Sequence, residues 1–199
     1  MASIQDFKTQ MFYGGARSNQ FRVHLSFPTW VDGDLIQAQR ATFLCKAAQL
    51  PASTIADIEV PYRGRTVHFA GERSYQPWVI TIINDGTFGI RNAFEDWHNG
   101  IQNYNKTSGM LIPANYQRQM TVYQLDRNDA EEKNYQFINA YPTTIGPIQL
   151  SYDLPNEIEQ FEVEFAYDYF IPSSAGIDGQ PAFKLNTSVT LPVIGTIPV

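Results

Sequence analysis

The sequence contains little cysteine and little charge. Cys45 is the only cysteine among 199 residues, so no intramolecular disulfide and no CxxC zinc or redox site can form. Charged residues make up 17% of the chain, and 20 acidic against 14 basic residues give a net charge of −6. Because nucleic-acid binding needs Lys and Arg to neutralise phosphates, this balance argues against ordinary nucleic-acid binding. It is compatible with a surface that does not retain DNA.

Targeting and membrane segments are missing as well. The N-terminal residues MASIQDFK lack the basic start and the apolar run of a signal peptide. The longest apolar run is far too short to span a bilayer. We therefore expect a soluble protein without a membrane segment, made in a cytoplasm, and the lone cysteine fits a reducing compartment.

Motifs of enzyme chemistry are also missing. The sequence has no GxGxxG, P-loop, HExxH, GxSxG or EF-hand spacing. His24, His68 and His98 do not lie at metal-ligand spacing from one another, so we interpret each as a structural or surface histidine. Cys45 in an apolar segment is more often a small hydrophobic residue than a reactive thiol, even beside Lys46. We expect no enzyme activity, no cofactor and no metal.

One cluster of carboxylates leaves an enzymatic alternative open. Glu157, Glu159, Glu162 and Glu164 could supply the paired acids of a glycosidase on a β-sandwich. The alternation of the last strand, however, predicts a solvated face for Glu162 and Glu164, where a carboxyl makes a poor general acid. A second alternative is a sugar- or protein-binding β module, which would be a stable monomer with an exposed aromatic platform.

What the sequence does contain favours strands and turns. Hydrophobic residues make up 43% and aromatic residues 14%, with 13 Phe, 11 Tyr, 13 Gly and 12 Pro. A chain of this length can bury a full core as one domain. The composition therefore predicts a mainly β protein.

The most informative segment runs from residue 66 to residue 97. Val67 and Phe69 alternate with polar residues in a strand that Ala70-Gly71 is expected to break. Trp78–Ile83 is apolar at nearly every position, as in a strand covered on both faces, and Asn84-Asp85-Gly86 ends it. A stripe at i, i+4, i+7 and i+11 follows, which predicts one helix over about residues 88–103. The stripe consists of Ile90, Phe94, Trp97 and Ile101.

The alternation of apolar and polar residues, together with the turn-forming residues between such segments, predicts the other elements. We expect strands at residues 21–27, 42–50, 120–125, 135–141, 148–152 and 161–169, loops at 28–39 and 126–133, and an N-terminal arm at 3–18. In the last strand Phe161, Val163 and Phe165 face the core, so Glu162 and Glu164 face the other way. The predicted core comprises Trp78, Ile80, Ile82, Phe94, Trp97, Phe161, Val163 and Phe165.

Residues 42–73 have the character of an arm. Proline interrupts this segment at Pro51 and Pro61, and its apolar content is modest. Residues 52–65 with their flanks could form a long projecting hairpin that is buried on a neighbouring subunit. The expected contact residues are Leu50, Pro51, Ile55, Ile58, Val60 and Tyr62. We place the domain at residues 1–170 and a C-terminal extension, rich in Ser, Gly and Pro, at 171–199.

Several short motifs follow one another along the chain. They are Leu44-Cys45-Lys46-Ala47 with Leu50-Pro51; Ala70-Gly71-Glu72-Arg73 with Trp78 and Asn84-Asp85; Phe94 with Asp96-Trp97; Asn156-Glu157-Ile158; Phe161-Glu162-Val163; and Asp168-Tyr169. In their order and spacing, these motifs resemble the tail tube proteins of contractile-tailed bacteriophages. The resemblance runs over about residues 19–170, and the expected loop at 28–40 and the C-terminal extension depart from it.

The resemblance implies a fold and an assembly. The expected fold is an antiparallel β-sandwich or barrel with one flanking α-helix. The expected assembly is a homo-oligomer of six-membered rings, stacked into the rigid inner tube of a virion tail that is built in the host cytoplasm. Related inner tubes occur in phage-derived contractile injection systems, which remain an alternative.

The resemblance also implies partners and a lumen. Tail sheath, baseplate and tail terminator proteins are the expected protein partners, and double-stranded DNA passes through transiently and without sequence preference. Glu162, Glu164 and Asp168 are the candidate lumen-lining residues, since an acidic surface repels phosphate. Ion pairs between subunits are the rival interpretation for these carboxylates.

Overall fold

The computed structural model describes residues 3–10, 15–106, 108–153 and 156–174. The fold is mainly β, as predicted, with antiparallel strands and flanking helices. The strands are β1 Phe21–His24, β2 Cys45–Ala48, β3 Ser53–Tyr62, β4 Arg65–Tyr75, β5 Trp78–Ile83, β6 Arg118–Leu125, β7 Glu131–Ile145, β8 Gln160–Ala166 and β9 Tyr169–Ser174. The helices are α1 Ile4–Gln10, α2 Asp34–Leu44, α3 Gly89–Ile101 and α4 Pro113–Tyr116.

Strand β7 joins the two halves of the main sheet. The seven-stranded sheet has the order β1-β6-β7-β8-β5-β2, with β9 also paired to β7. The first part of β7 pairs with β6 and β9, whereas its end, from Tyr141 to Ile145, pairs with β8. Asn139 has a φ of 57° where the partner changes. Trp78 from one half stacks on Phe137 from the other with ring centroids 4.2 Å apart, so the two halves enclose one core.

Helix α3 covers that core. Ile90, Phe94 and Trp97 are buried along its inner face, and the Phe94 and Trp97 rings lie 6.0 and 6.5 Å from Phe165. The predicted helix is therefore confirmed to within two residues at each end. All eight residues of the predicted core are 0–1% exposed. The buried indoles of Trp78 and Trp97 donate to the carbonyls of Gln49 and Tyr116 at 2.8 and 2.9 Å.

The predicted loop at 28–39 and strand at 42–50 were wrong in part. Helix α2 spans residues 34–44, and only β2, at residues 45–48, is extended. Ala41 is buried on the inner side of α2, with Ala38 packed against the same core. Gly33, in the middle of the predicted loop, has a φ of 68° and directly precedes the helix. The chain therefore has more than the one flanking helix that we predicted.

The strand breaks predicted around Pro142 and Gly71 were also wrong. β7 continues through Pro142 to Ile145, and residues 148–152 form no strand. A register shift between Pro142 and Thr144 locally disrupts the pairing with β8, and prolines are tolerated in sheets at such irregularities. β4 likewise continues through Gly71, which lies at a register shift opposite Ala56. An added Cβ on Gly71 would come within 3.0 Å of the Ala56 carbonyl oxygen.

The segment predicted as one strand at 161–169 forms two. β8 ends at Ala166, and β9 begins at Tyr169 and pairs with the first part of β7. β9 carries the sheet past residue 170, the expected end of the domain, to Ser174. The rest of the expected C-terminal extension lies outside the described residues. The N-terminal arm contains α1, in which Ser3 and Asp6 cap each other's backbone N–H and no residue is buried.

Candidate assembly surfaces

Strands β3 and β4 form a hairpin that is separate from the main sheet. They pair with each other from Ser53 and Tyr75 at the base to Tyr62 and Arg65 at the tip. Arg63 and Gly64 at the turn have φ values of 47° and 79°. A two-residue turn with two positive φ values matches the right-handed twist of the strands, which favours a tight hairpin. The backbone N–H of Gln76 donates to the Ala52 carbonyl at 3.2 Å and closes the base.

The hairpin has one apolar and one polar face. Ile58 lies opposite Phe69, and Val60 lies opposite Val67, with Tyr62 next toward the tip. These five side chains, which we call the apolar hairpin face, are between 41% and 61% exposed. Alternation places Asp57, Glu59 and His68 on the reverse side. A hairpin with this much exposed apolar surface has the character of an interaction element.

The projecting arm is shorter in the structure than the expected range of residues 42–73. Residues 42–48 belong to α2 and to β2, which pairs with β5 inside the main sheet. The projecting part is therefore the hairpin itself, with Leu50 and Pro51 just before it. Leu50 is 48% exposed and Ile55, near the base, is 50% exposed. The remaining expected contact residues lie on the apolar hairpin face, apart from half-buried Pro51.

The outer face of β5 and β8 carries the predicted acidic side chains. Glu162 and Glu164 lie opposite Thr81 and Val79 in the register, on the side of the sheet away from the core. Glu162 is exposed and Glu164 is half-buried. The Lys46 ammonium group donates to the Gln160 side chain at 2.7 Å at the edge of this face. The two glutamates therefore form an accessible acidic row.

Asp168 lies apart from that row. It is in the bend between β8 and β9, is exposed, and accepts a hydrogen bond from the Asn139 side chain at 2.6 Å. Its backbone N–H donates to the Ile138 carbonyl at 3.1 Å. These contacts fix the corner where β7 changes its partner, so Asp168 has a structural role at this bend.

Residues 16–173 match the sequence model of the phage tail tube protein family, which covers all nine strands except the last residue of β9. The chain belongs to the phage tail tube protein family. It is therefore a structural protein of the virion tail and not an enzyme. This assignment decides against the glycosidase alternative.

Two tail tube proteins and one solved structure illustrate the likeness. Tail tube protein gp19 of Enterobacteria phage T4 is 35% identical over 168 residues, which cover 81% of this chain and 96% of that protein. The tail tube protein of Serratia phage KSP90 is 28% identical over 169 residues, with coverages of 84% and 95%. A chain of the anti-feeding prophage baseplate superposes with a TM-score of 0.59 at 12% identity, covering 80% of this chain and 96% of its own. Because the sequence identity is only 12%, the superposition shows that the two chains share a fold and nothing beyond that.

Three of the four carboxylates considered for catalysis lie in an open groove of this tail tube protein. The groove has a volume of about 580 Å³, and Glu157, Glu159 and Glu162 contribute to its lining. Glu157 and Glu162 are exposed, so they lack the burial that a glycosidase uses to keep its acid protonated. The Glu159 carboxylate accepts a hydrogen bond from Asn84 at 2.8 Å, which ties the start of β8 to the end of β5.

Other candidate reactive groups of the tail tube protein have structural explanations. The ligand atoms of Asp57, Glu59 and His68 lie within 4.8 Å of one another, yet all three side chains are exposed. His68 Nδ1 and Asp57 Oδ2 are hydrogen-bonded at 2.6 Å, so these two groups satisfy each other without an ion. Burial raises the pKa of the Cys45 thiol to about 12, which keeps the sulfur protonated and unreactive at neutral pH. None of the helices in the described ranges is long and apolar enough to cross a membrane.

Sequence reasoning missed an exposed apolar stripe on α2. Leu35, Ile36 and Phe43 are 73%, 64% and 86% exposed on the side of the helix away from Ala41. We call these three side chains the outer α2 stripe. The i, i+8 spacing of Leu35 and Phe43, and the i, i+7 spacing of Ile36 and Phe43, could have revealed it. The inner apolar positions overlap with this pattern, so no single stripe stood out.

Proposed function

We propose that this tail tube protein assembles into six-membered rings that stack into the rigid inner tube of a contractile tail. Double-stranded DNA passes through that tube into the host cell. In this proposal the sheath surrounds the tube, and the baseplate and the tail terminator contact its two ends. The tube domain runs from the N-terminal arm to the end of β9, and the residues beyond it form a C-terminal extension.

The main support for the proposal is the exposed apolar face of the hairpin that β3 and β4 form. Its strands pair only with each other among the described elements, and its apolar face is open to solvent. A monomer gains nothing from this exposed surface, whereas a neighbouring subunit can bury it. Interfaces of permanent assemblies bury on the order of 2,000 Å² or more. A projecting arm extends the contact area beyond what the compact sheet can offer.

We further propose that Glu162 and Glu164 line the channel. Asp168 lies apart from this row at the bend after β8 and is not assigned to the lining. The two glutamates alternate with Phe161, Val163 and Phe165, which are fixed in the core. An acidic row on the outside of a central sheet repels phosphates and lets DNA slide. Ion pairs with basic side chains of a neighbouring subunit are the competing role for the same carboxylates.

The test compares two matched hairpin variants with the full-length wild-type chain. The apolar-face variant carries Ile58→Ser, Val60→Ser and Val67→Ser, and the polar-face control carries Asp57→Ser, Glu59→Ser and His68→Ser. Both sets change three exposed hairpin positions and leave the core intact. Size-exclusion chromatography and negative-stain microscopy report assembly, and thermal melting reports subunit folding.

We expect wild-type protein and the polar-face control to form six-fold rings and tubes. The apolar-face variant should remain a folded monomer, because the surface that its neighbour buries is lost. Tubes of normal ring spacing from the apolar-face variant would contradict the role of the hairpin. A wild-type chain that stays monomeric at high concentration would contradict the proposed assembly as a whole.

A further inference from the structure

We infer that the apolar hairpin face of one copy packs against the outer α2 stripe of a neighbouring copy. The inference rests on the proposed self-assembly and specifies which two surfaces meet. Two different patches of the same chain then form a heterologous contact. Such a contact repeats from copy to copy and builds rings or filaments rather than isolated pairs.

Helix α2 has apolar residues on two sides. Its inner side, with Ala38 and Ala41, packs on the core, whereas Leu35, Ile36 and Phe43 point outward and are at least 64% exposed. A helix with apolar residues on both sides is typical of one that is buried on both sides. Among the described residues nothing covers the outer side, and we assign that cover to a second copy of the chain.

The two surfaces have matching lengths. Leu35 and Phe43 are eight residues apart, which corresponds to about 12 Å along a helix axis. Ile58 and Tyr62 are four residues apart, which corresponds to about 13 Å along a strand. One hairpin face can therefore cover the whole stripe without leaving either end exposed.

The charges at the ends of the two surfaces are opposite. Arg63 and Arg65 flank the hairpin tip, and the Arg63 guanidinium lies 5.4 Å from the centre of the Tyr62 ring. Asp32 and Asp34 lie at the N-terminal end of the outer α2 stripe. Alignment of the basic tip with this acidic end fixes the direction of docking. Phe43 at the other end then lies against Ile58 and Phe69.

The basic group within α2 does not oppose this alignment. Arg40 is the sole Lys or Arg of the helix, and its guanidinium contacts the Asp85 carboxylate at 3.2 Å. Its charge is therefore balanced within the subunit. The acidic end of the stripe remains available to the arginines of another copy.

Cysteine cross-linking in assembled protein tests the contact directly. In a Cys45→Ala background, the variant Phe43→Cys with Phe69→Cys places one thiol on each proposed surface of every chain. A matched control combines Phe43→Cys with Glu59→Cys, which lies on the reverse face of the hairpin. A disulfide requires Cα atoms closer than about 7 Å, so mild oxidation reports which faces meet.

We expect the Phe43→Cys, Phe69→Cys variant to give a ladder of covalent oligomers on non-reducing gels. The reverse-face control should give none, and each single-cysteine variant should give at most dimers. Assembled wild-type tubes combined with no ladder from the proposed pair, or with an equal ladder from the control, would overturn the inference. In that outcome the proposed tube assembly itself would stand, so the two failures are distinguishable.

Charge reversal provides a second measurement that needs no cysteine. Arg63→Asp with Arg65→Asp should slow assembly by about tenfold or more, because like charges then meet at the docking end. Adding Asp32→Arg and Asp34→Arg to the same chain should restore the rate toward that of the wild type. Slow assembly of the four-site variant, with unchanged melting of the subunit, would overturn the inference.

Discussion

At the residue scale, single aromatic side chains connect α3 to the rest of the core. Trp97 is fully buried, and its ring lies 5.6 Å from Phe27 and 6.5 Å from Phe165. Its indole N–H donates to the Tyr116 carbonyl, so the one polar atom of this side chain is satisfied. The helix, the segment after β1 and the sheet thus meet at one residue, and the fold depends on it.

We expect Trp97→Ala to destabilise the subunit by about 3–5 kcal/mol, because the change leaves a large cavity in a packed core. The variant should be insoluble or unfolded when expressed. Insoluble or unfolded expression agrees with this expectation, and thermal melting of the dilute subunit measures the effect in any soluble protein. Phe43→Ala is the control, at a position that is 86% exposed. The control should change the stability by less than about 0.5 kcal/mol. A Trp97→Ala protein that melts like the wild type would contradict the placement of α3.

At the element scale, Asp85 joins α2 to the turn before α3. Its carboxylate accepts hydrogen bonds from Thr87 and from Arg40, which projects from α2. Burial opposes the ionisation of Asp85, but the hydroxyl of Thr87 and the charge of Arg40 outweigh it and lower the pKa of the carboxyl. The position of α2 on the core therefore depends in part on an ionised aspartate.

We expect Asp85→Asn to lower the stability by about 1 kcal/mol at neutral pH. Because the folded-state pKa of Asp85 lies below the unfolded value of about 3.9, its contribution is fully present above that unfolded value. The contribution is lost as the pH falls through the folded-state pKa. Melting of wild-type and variant subunits between pH 7 and pH 2 should show a gap that closes at low pH.

The exposed substitution Asp153→Asn serves as the control for that experiment, and it should show no comparable gap at pH 7. A gap for Asp85→Asn that stays constant down to the lowest pH would assign its effect to shape rather than to charge. In that case the ion pair would not be what holds α2 in place.

At the scale of the whole molecule, the subunit has distinct surfaces for distinct tasks. The core holds α3 against the sheet, the hairpin projects from it, and the acidic row of β8 lies on the opposite side of the sheet from α3. In the proposed tube, a net charge of −6 on each subunit suits a channel that must not retain DNA. In the proposed tube, assembly and passage therefore depend on different residues and can be altered separately.

We expect Glu162→Gln with Glu164→Gln to leave subunit melting and tube assembly unchanged while altering genome passage. The neutral row repels phosphate less, so the assembled tubes should also retain more double-stranded DNA at low salt in a sedimentation assay. Asp57→Asn with Glu59→Gln on the hairpin makes an equal charge change and should not increase DNA retention. Loss of ring formation in the Glu162, Glu164 variant would instead place these carboxylates in a subunit interface.

The sequence by itself determined the positions of the helices and strands that bury one face and expose the other. The stripe from Ile90 to Trp97 located α3, and the alternation from Phe161 to Phe165 located β8 and the direction of its glutamates. Burial of one face imposes a period of about 3.6 residues on a helix and of 2 on a strand, and the amino-acid sequence carries that period directly. The projecting hairpin was predicted from other local features, namely the prolines at positions 51 and 61 and the modest apolar content between them.

Only the tertiary structure decided the bounds of elements whose local sequence pattern is overridden by contacts with neighbouring elements. Helix α2 has apolar residues on two sides, so its sequence shows no single period. β7 continues through Pro142 because its pairing with β8 is irregular at that point. β8 ends at Ala166 because the chain bends there, and the next strand, β9, pairs with the first part of β7. The Arg40–Asp85 contact likewise joins residues far apart in the chain. Such features depend on which other segment packs against an element, and the periodicity of the element's own sequence does not specify that neighbour.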